Sequence, residues 1–333
     1  MLARIALVLI LFLSLVLTAL WWSYDQALTT SVVSGQSRII EIAKGDSFKQ
    51  ITHKLLAEKI NISPFWFKLI AYNKKVSNKL KAGEYELKIG LTIPQILDLF
   101  VDGKSRQYSI TFPEGWNFKQ MLEHIQNNPY LKKSLEQIDY KTIMEKLGAQ
   151  YTQPEGLFFP DTYFFIKNAS DLSLLKTAYQ RMQKILSIEW DNREDDLPLK
   201  NAYEALILAS IVEKETGAIE ERAQIAGVFI RRLKKGMLLQ TDPTVIYGMG
   251  EHYQGNIRYK DLKRATPYNT YIIPGMPPTP IAMPGKAAIH AVLHPATGKS
   301  LYFVAKGKGL GTHVFSATLR AHNNAVNKYQ RNR

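Results

Sequence analysis

Two glutamates two residues apart, Glu213 and Glu215, close the run Leu206-Ile-Leu-Ala-Ser-Ile-Val-Glu-Lys-Glu-Thr-Gly217. A carboxyl group can act as a general acid near neutral pH only if its pKa is raised, and removal from water is the usual way to raise it. The run begins near Tyr203 and is long enough for about four helical turns. At about 100° per residue, Glu215 lies over Ile211, Val212 and Leu208, while Glu213 projects from the opposite side near Leu206 and Ala209. Both sides are apolar, so the helix is expected to be buried nearly all round, with at least one carboxylate at the edge of a dry core. Gly217 stands where the helix C-terminus is expected. A solvated Glu-Lys-Glu helix end accounts for the same residues, and these residues alone leave it open.

Conventional glycosidases need two carboxyl groups, close together for retention or farther apart to admit a water for inversion. Asp161, Asp242, Glu155 and Glu213 are candidate partners for Glu215, and sequence spacing places none of them. One carboxyl is enough if the sugar carries its own nucleophile: the acid protonates the leaving oxygen and then, as carboxylate, takes the proton of an internal hydroxyl. Other chemistries find less support. His290 and His294 have a metal-ligand spacing, but no glutamate adjoins them, no acidic residue follows them, and Pro295 ends the helix, so no metal site is expected. The stretch Lys306-Gly-Lys-Gly-Leu-Gly311 lacks the ending of a phosphate loop and reads as a hairpin turn. Ser210 has no nucleophile-elbow glycines. The chain has no cysteine, which excludes disulfides, thiolate zinc sites and cysteine nucleophiles.

These residues need a scaffold, and 333 residues with 46% apolar content can build two domains. Residues 5–22 carry no charge and are about as short as a membrane span can be. Arg4 precedes them, and Trp21, Trp22 and Tyr24 follow as an interfacial belt. No small-residue cleavage site ends the run, which favours an uncleaved anchor (residues 1–23) over a signal peptide. The N-terminal positive charge predicts a cytoplasmic N-terminus and export of everything after the span. The net charge is +14, and residues 201–333 hold 18 Lys and Arg against 8 Asp and Glu, a net of +10. Export removes nucleic acid as a partner for this basic region, leaving anionic polymers and acidic lipid headgroups.

Residues 24–37 read as a polar linker. A weak repeat follows: Gly45-Asp-Ser-Phe-Lys-Gln-Ile51 matches Gly115-Trp-Asn-Phe-Lys-Gln-Met121, with a looser copy at Gly90-Leu-Thr-Ile-Pro-Gln-Ile96. Each follows an extended segment and places Ser, Thr or Asn two residues after the glycine, an N-cap choice. The first two copies predict a small βααβ module, residues 38–107, similar to the LysM domains that bind peptidoglycan. Residues 116–147 read as a charged helical connection, and helices are expected over 170–190, 220–235 and 286–293. The region from Gln240 onward is otherwise loop-rich, with strands at 300–305 and 312–315.

The blocks Ala209-Ser-Ile-Val-Glu-Lys-Glu-Thr216, Leu239-Gln-Thr-Asp-Pro-Thr-Val-Ile-Tyr-Gly-Met-Gly250, Tyr268-Asn-Thr-Tyr271, Gly275-Met-Pro-Pro278, His294-Pro295, Leu301-Tyr-Phe-Val304 and Thr312-His-Val-Phe315 together resemble the endolytic murein transglycosylases, the YceG-like family. The resemblance covers essentially the whole chain. It implies an α+β protein with an N-terminal transmembrane helix, a LysM-like βααβ module and a mixed α+β catalytic domain over 108–333. It implies a lyase that cuts nascent glycan strands internally, between N-acetylmuramic acid and N-acetylglucosamine, leaving a 1,6-anhydro-muramyl end. By motif the catalytic glutamate falls on Glu215. Gln240, Asp242, Thr244, Tyr247, Tyr268 and Asn269 are expected to contact the sugars, with Glu155 and Asp161 from the aromatic segment 155–163. Met283 departs from the small polar residue expected before Pro-Gly. No metal, nucleotide or other cofactor is implied. The implied setting is the inner membrane, single-pass, with the catalytic domain in the periplasm and cell-wall synthesis proteins as partners. A two-carboxylate muramidase and a non-catalytic peptidoglycan-binding scaffold are the rival readings.

Overall fold

A computed structural model describes residues 2–307 and 311–331. The glycine-rich turn expected over 306–311 thus falls in part on residues 308–310, outside the described residues. The chain divides into two compact units, residues 1–108 with 164–168, and residues 109–163 with 169–333.

The first unit opens with α1 (Leu2–Thr29), whose residues 5–22 are exposed apart from the half-buried Val16. Strand β1 (Arg38–Ile42), helices α2 (Phe48–Ala57) and α3 (Pro64–Asn73) and strand β2 (Gly83–Leu87) then give a β-α-α-β order, followed by α4 (Ile93–Asp102). β1 and β2 are antiparallel, with Ile40 opposite Tyr85. Their inward residues join Leu55, Phe67, Ile96 and Phe100 in one apolar core. The stretch expected to be a linker over 24–37 is helical as far as Thr29. Its Val32 and Val33 are buried in this core, because Val32 exchanges backbone hydrogen bonds with Leu91 and Asn61.

The sequence repeat has a physical cause. Gly45, Gly90 and Gly115 all adopt positive φ, turning the chain so that Ser47, Thr92 and Asn117 become N-caps. In each case a glutamine three residues on completes a capping box. The repeat therefore encodes a helix start, used three times.

The second unit is mostly helical. It contains α5 (Phe118–Gln126), α6 (Tyr140–Lys146), α7 (Asp171–Asp191), α8 (Ala202–Glu215), α9 (Arg222–Lys234), α10 (Asp242–Met249), α11 (Tyr259–Leu262), α12 (Lys286–Leu293) and α13 (Leu319–Val326). Residues 116–147, expected as one helical connection, break into α5, the short strand β4 (Leu131–Lys132) and α6. β4 pairs in parallel with β6 (Ala169–Ser170), and β3 (Gln107–Thr111) pairs with β5 (Thr162–Ile166). Strands β7 (Tyr302–Ala305) and β8 (His313–Ser316) form an antiparallel hairpin with Phe303 opposite Phe315. Of β7 only Val304 is buried.

Helix α8 is the centre of this unit. Ala205 through Val212 are all buried, against α7, α9, α10 and α12. Asn201 caps its start by accepting from the Glu204 N–H at 3.0 Å. Its end differs from the expected glycine cap: Thr216 turns extended at φ −146°, ψ 137°, and its hydroxyl accepts from the Ala218 N–H at 3.0 Å. The helix thus stops at Glu215, which is its last residue. Residues 242–249, expected to be loop, form α10, with Asp242 in its first turn and Pro243 where proline is tolerated.

Candidate active site

At the end of α8 the two glutamates enter different surroundings. Glu213 has both oxygens engaged: Oε1 pairs with Arg222 Nη2 at 2.8 Å and Oε2 accepts from the Gly285 N–H at 3.0 Å. Both side chains of that ion pair are buried. Burial raises the Glu213 pKa, against the pull of the Gly285 N–H and Arg222. Lys214 between them reaches the Gly115 carbonyl at 3.2 Å.

Glu215 is half-buried and lines a cavity of about 440 Å³ with Gln240, Asp242, Tyr271, Tyr302 and Phe303. Oε1 accepts a hydrogen bond from the Thr241 hydroxyl. Its other oxygen has no protein partner among the described residues. Burial raises the carboxyl pKa to about 7; the Thr241 bond opposes the rise and the Asp242 charge adds to it. A carboxyl in that state holds its proton near neutrality and can later take one back.

The segment that meets Glu215 is held under strain. Gln240 is a non-glycine residue at φ +51°, a left-handed conformation that costs free energy and is kept only where surrounding contacts fix it. Here its N–H donates to the Thr270 carbonyl at 3.1 Å, and the Thr241 N–H donates to Thr270 Oγ1 at 3.1 Å. Arg232 is buried and donates to the Leu238 and Leu239 carbonyls, both at 3.0 Å, and to Gln240 Oε1 at 3.3 Å. Tyr271 donates to Asp242 at 2.6 Å, so the carboxylate beside Glu215 is fixed.

The other expected contact residues separate into groups. Thr244 is fully buried, bonded to the Thr241 carbonyl at 2.7 Å and to Thr270 Oγ1 at 2.8 Å. Asn269 is buried as well; its amide donates to the carbonyls of Leu262 and Arg264 at 3.1 and 2.8 Å, and its oxygen accepts from the Tyr271 N–H. Both stabilise backbone turns beneath Thr241 and Tyr271. Tyr247 donates to buried Glu155 Oε2 at 3.0 Å, while the Phe118 N–H donates to Oε1 at 3.0 Å. Burial raises the Glu155 pKa to about 7 against these bonds. Tyr268 packs edge-on to Tyr247 and shares a hydrogen bond with Thr279 at 2.9 Å. Asp161 is ion-paired with Arg181 and lines a different cavity, with Glu189 and His290. The structure therefore brings Glu215, Gln240 and Asp242 together, puts Glu155, Tyr247 and Tyr268 in a second cluster, and leaves Asp161 elsewhere. Thr241 and Tyr271 are not among the residues that the sequence points to. Both lie inside the quoted blocks, but their partners stand 26 and 29 residues away, beyond any local pattern.

Met283 is buried because its backbone pairs with the Gly115–Trp116 segment, its N–H donating to the Trp116 carbonyl at 2.7 Å. A side chain turned inward there is best apolar. For a metal, Glu189, His290 and His294 offer atoms within 4.8 Å of one another. Lys286 already pairs with Glu189 at 3.4 Å, and both His294 nitrogens face backbone carbonyls. A cation there would compete with the Lys286 ammonium and with the 2.8 Å contact between His290 Nδ1 and Glu189.

A buried helix that ends in a desolvated carboxyl at a cavity wall suits general acid–base chemistry. The family described as the YceG-like family matches residues 40–328, and the chain belongs to it. It is 33% identical over 308 residues to the endolytic murein transglycosylase of Bacillus subtilis (strain 168), covering 87% of this chain and 84% of that protein. It is 29% identical over 261 residues to the endolytic murein transglycosylase of Streptococcus pneumoniae (strain ATCC BAA-255 / R6), covering 68% of this chain and 46% of that longer protein. The crystal structure of a YceG-like protein from Listeria monocytogenes aligns with a TM-score of 0.56 at 28% identity, over 87% of this chain and 99% of that one.

Proposed function

We propose that this protein is a membrane-anchored peptidoglycan lytic transglycosylase, a lyase that cuts glycan strands internally. The observation that carries the reading is Glu215: desolvated at the end of α8, open to a cavity, with a single hydroxyl donor on one oxygen. In this mechanism the protonated carboxyl donates to the oxygen between N-acetylmuramic acid and N-acetylglucosamine. The C1–O bond breaks as the muramyl 6-hydroxyl closes on C1, and the Glu215 carboxylate takes the hydroxyl proton. One bond is exchanged for another, no water is consumed, and the carboxyl is regenerated.

Asp242 contributes by its charge, which favours the protonated form of Glu215 at rest. Gln240, on its strained backbone, faces the same cavity and is suited to an acetamido or hydroxyl group. Thr244 and Asn269 act through the turns they hold, while Glu155, Tyr247, Tyr268 and Asp161 lie outside the reacting centre. The β-α-α-β unit, residues 38–107, is read as a LysM-like module on the strand, and residues 108–333 as the catalytic domain. Residues 1–23 are the single-pass anchor in the inner membrane, with the catalytic domain in the periplasm. Nascent strands are thereby within reach, and each cut ends a strand in 1,6-anhydro-muramic acid.

The test is incubation of the full-length protein in detergent with uncrosslinked glycan strands, read by mass spectrometry. Internal fragments with anhydro ends, absent in Glu215→Gln, are expected. Fragments one water heavier, with reducing ends, would instead identify a two-carboxylate muramidase using Asp242. Strands left intact by the parent protein would identify a binding scaffold.

A further inference from the structure

We infer that helix α3 lies flat in the headgroup layer of the membrane that α1 crosses, with Phe65 and Tyr72 inserted and lysines against anionic phospholipid. The inference rests on the reading of α1 as a membrane span.

Three observations carry it. First, α1 does not end at the membrane surface. Beyond Trp22 the same helix runs on to Thr29, and Tyr24, Ala27 and Leu28 pack against the core of the first unit. The unit is therefore attached where the apolar span stops, with no loose tether between them.

Second, α3 crosses α1. Trp66 Nε1 donates to Ser23 Oγ at 3.0 Å, and Asn73 Nδ2 donates to the Tyr24 hydroxyl at 3.1 Å. Tyr24 and Trp66 rings also meet at 5.6 Å. Trp66 and Asn73 are about 10 Å apart along α3, yet they meet adjacent residues only about 1.5 Å apart along α1. A helix running alongside α1 would spread those contacts over two turns, so α3 lies across it, at the level of residues 23 and 24. That level follows directly on the interfacial pair Trp21 and Trp22.

Third, the outward face of α3 has the right composition and direction. At about 100° per residue, Phe67, Ile70 and Ala71 share the core face, Trp66 and Asn73 the side against α1, and Phe65 and Tyr72 the face turned away from the core. Ala27 and Leu28 at the C-terminal end of α1 point into that core. Going from the core toward Phe65 and Tyr72 therefore goes back along α1 toward its apolar span. Phe65 is 65% exposed and Tyr72 74% exposed. Such rings are costly in water and well suited to the interface between headgroups and acyl chains. Lys68 flanks them on the same helix. Residues 60–82 hold five lysines and no Asp or Glu, and among the described residues only Lys74 of the five is ion-paired, with Asp98. Charge and aromatic rings together select an anionic bilayer surface over a protein partner.

The absence of cysteine makes a clean test. Single cysteines at Tyr72→Cys, Leu17→Cys and Lys44→Cys in the full-length protein are labelled with an environment-sensitive fluorophore. The proteins are reconstituted into vesicles containing phosphatidylglycerol. Lipids carrying a shallow nitroxide should quench the Tyr72 label severalfold more than the Lys44 label, and aqueous iodide should quench it severalfold less. Equal quenching at Tyr72 and Lys44, with the Leu17 label still quenched from within the bilayer, overturns the inference while sparing the anchor. A Leu17 label that lipid nitroxides do not reach overturns the anchor, and the inference falls with it.

Discussion

The two faces of the end of α8 present the same chemical group in opposite circumstances. On one face Glu213 is committed, with an oxygen each on Arg222 and Gly285. On the other, Glu215 lines the cavity with one hydroxyl donor on Oε1 and, among the described residues, no partner on its other oxygen. Burial raises the pKa of both, so desolvation does not tell them apart. What differs is what the tertiary structure brings to each side. A full cation and a backbone N–H make Glu213 a fastening between α8, α9 and the loop before α12. A hydroxyl and a neighbouring carboxylate leave Glu215 free to exchange a proton. The lesson is that a raised pKa marks a candidate acid only when the carboxyl also has somewhere to send its proton.

Substitutions should separate the two faces, and the largest effect belongs to Glu215→Gln. Strand cleavage should fall by about 10³-fold with the fold intact. Fragment release within about tenfold of the parent would remove Glu215 from the reaction. Glu213→Gln should do the reverse. It leaves the Arg222 charge buried with, among the described residues, only the exposed Glu114 as an acidic partner, at a cost of about 3 kcal/mol. Thermal unfolding should show this as a lower Tm, while the rate per folded molecule changes little. A large loss of rate with an unchanged Tm would exchange the two roles.

A third expectation concerns pH. The Glu215 carboxyl is raised from 4.5 to about 7 in the folded protein. Between those values the folded state binds more protons than the unfolded one, so this group's contribution falls as pH rises through the window. The Glu215→Gln variant should therefore be more stable than the parent at pH 8 by about 1–3 kcal/mol, with the gap closing by about pH 4. Denaturant unfolding at both pH values measures the gap, and equal gaps at the two would contradict the raised pKa. The smallest effect is that of Thr241→Val. Removing the bond that favours the carboxylate should lower the rate about tenfold. It should also move the alkaline limb of the pH–rate profile upward, because an acid with a higher pKa keeps its proton to higher pH. A downward shift would mean that Thr241 does not act on Glu215.

Much of the scaffold was legible in the chain itself. The run of apolar and small residues over 206–212 predicts a helix buried nearly all round, and Ala205 through Val212 are buried. The repeated glycine followed two residues on by Ser, Thr or Asn predicts three helix starts, and the structure adds that a positive φ and a capping glutamine complete each one within a few positions. Local rules failed where the partner is remote. The stretch 24–37 is polar on average, and only the packed unit shows that Val32 and Val33 belong to its core. The family resemblance points to Asn269 and Thr244 as sugar contacts, yet their hydrogen bonds are spent on backbone turns.

Sequence by itself determined the apolar N-terminal run, the helix starts, the buried helix and the pair of carboxyl groups at its end, since each is encoded by neighbours along the chain. Only the tertiary structure decided that Thr241, Asp242 and Tyr271 converge beside Glu215 while Arg222 and Gly285 take Glu213. Those partners are 9 to 72 residues distant, and long-range packing, not helical periodicity, sets which of them each carboxyl meets.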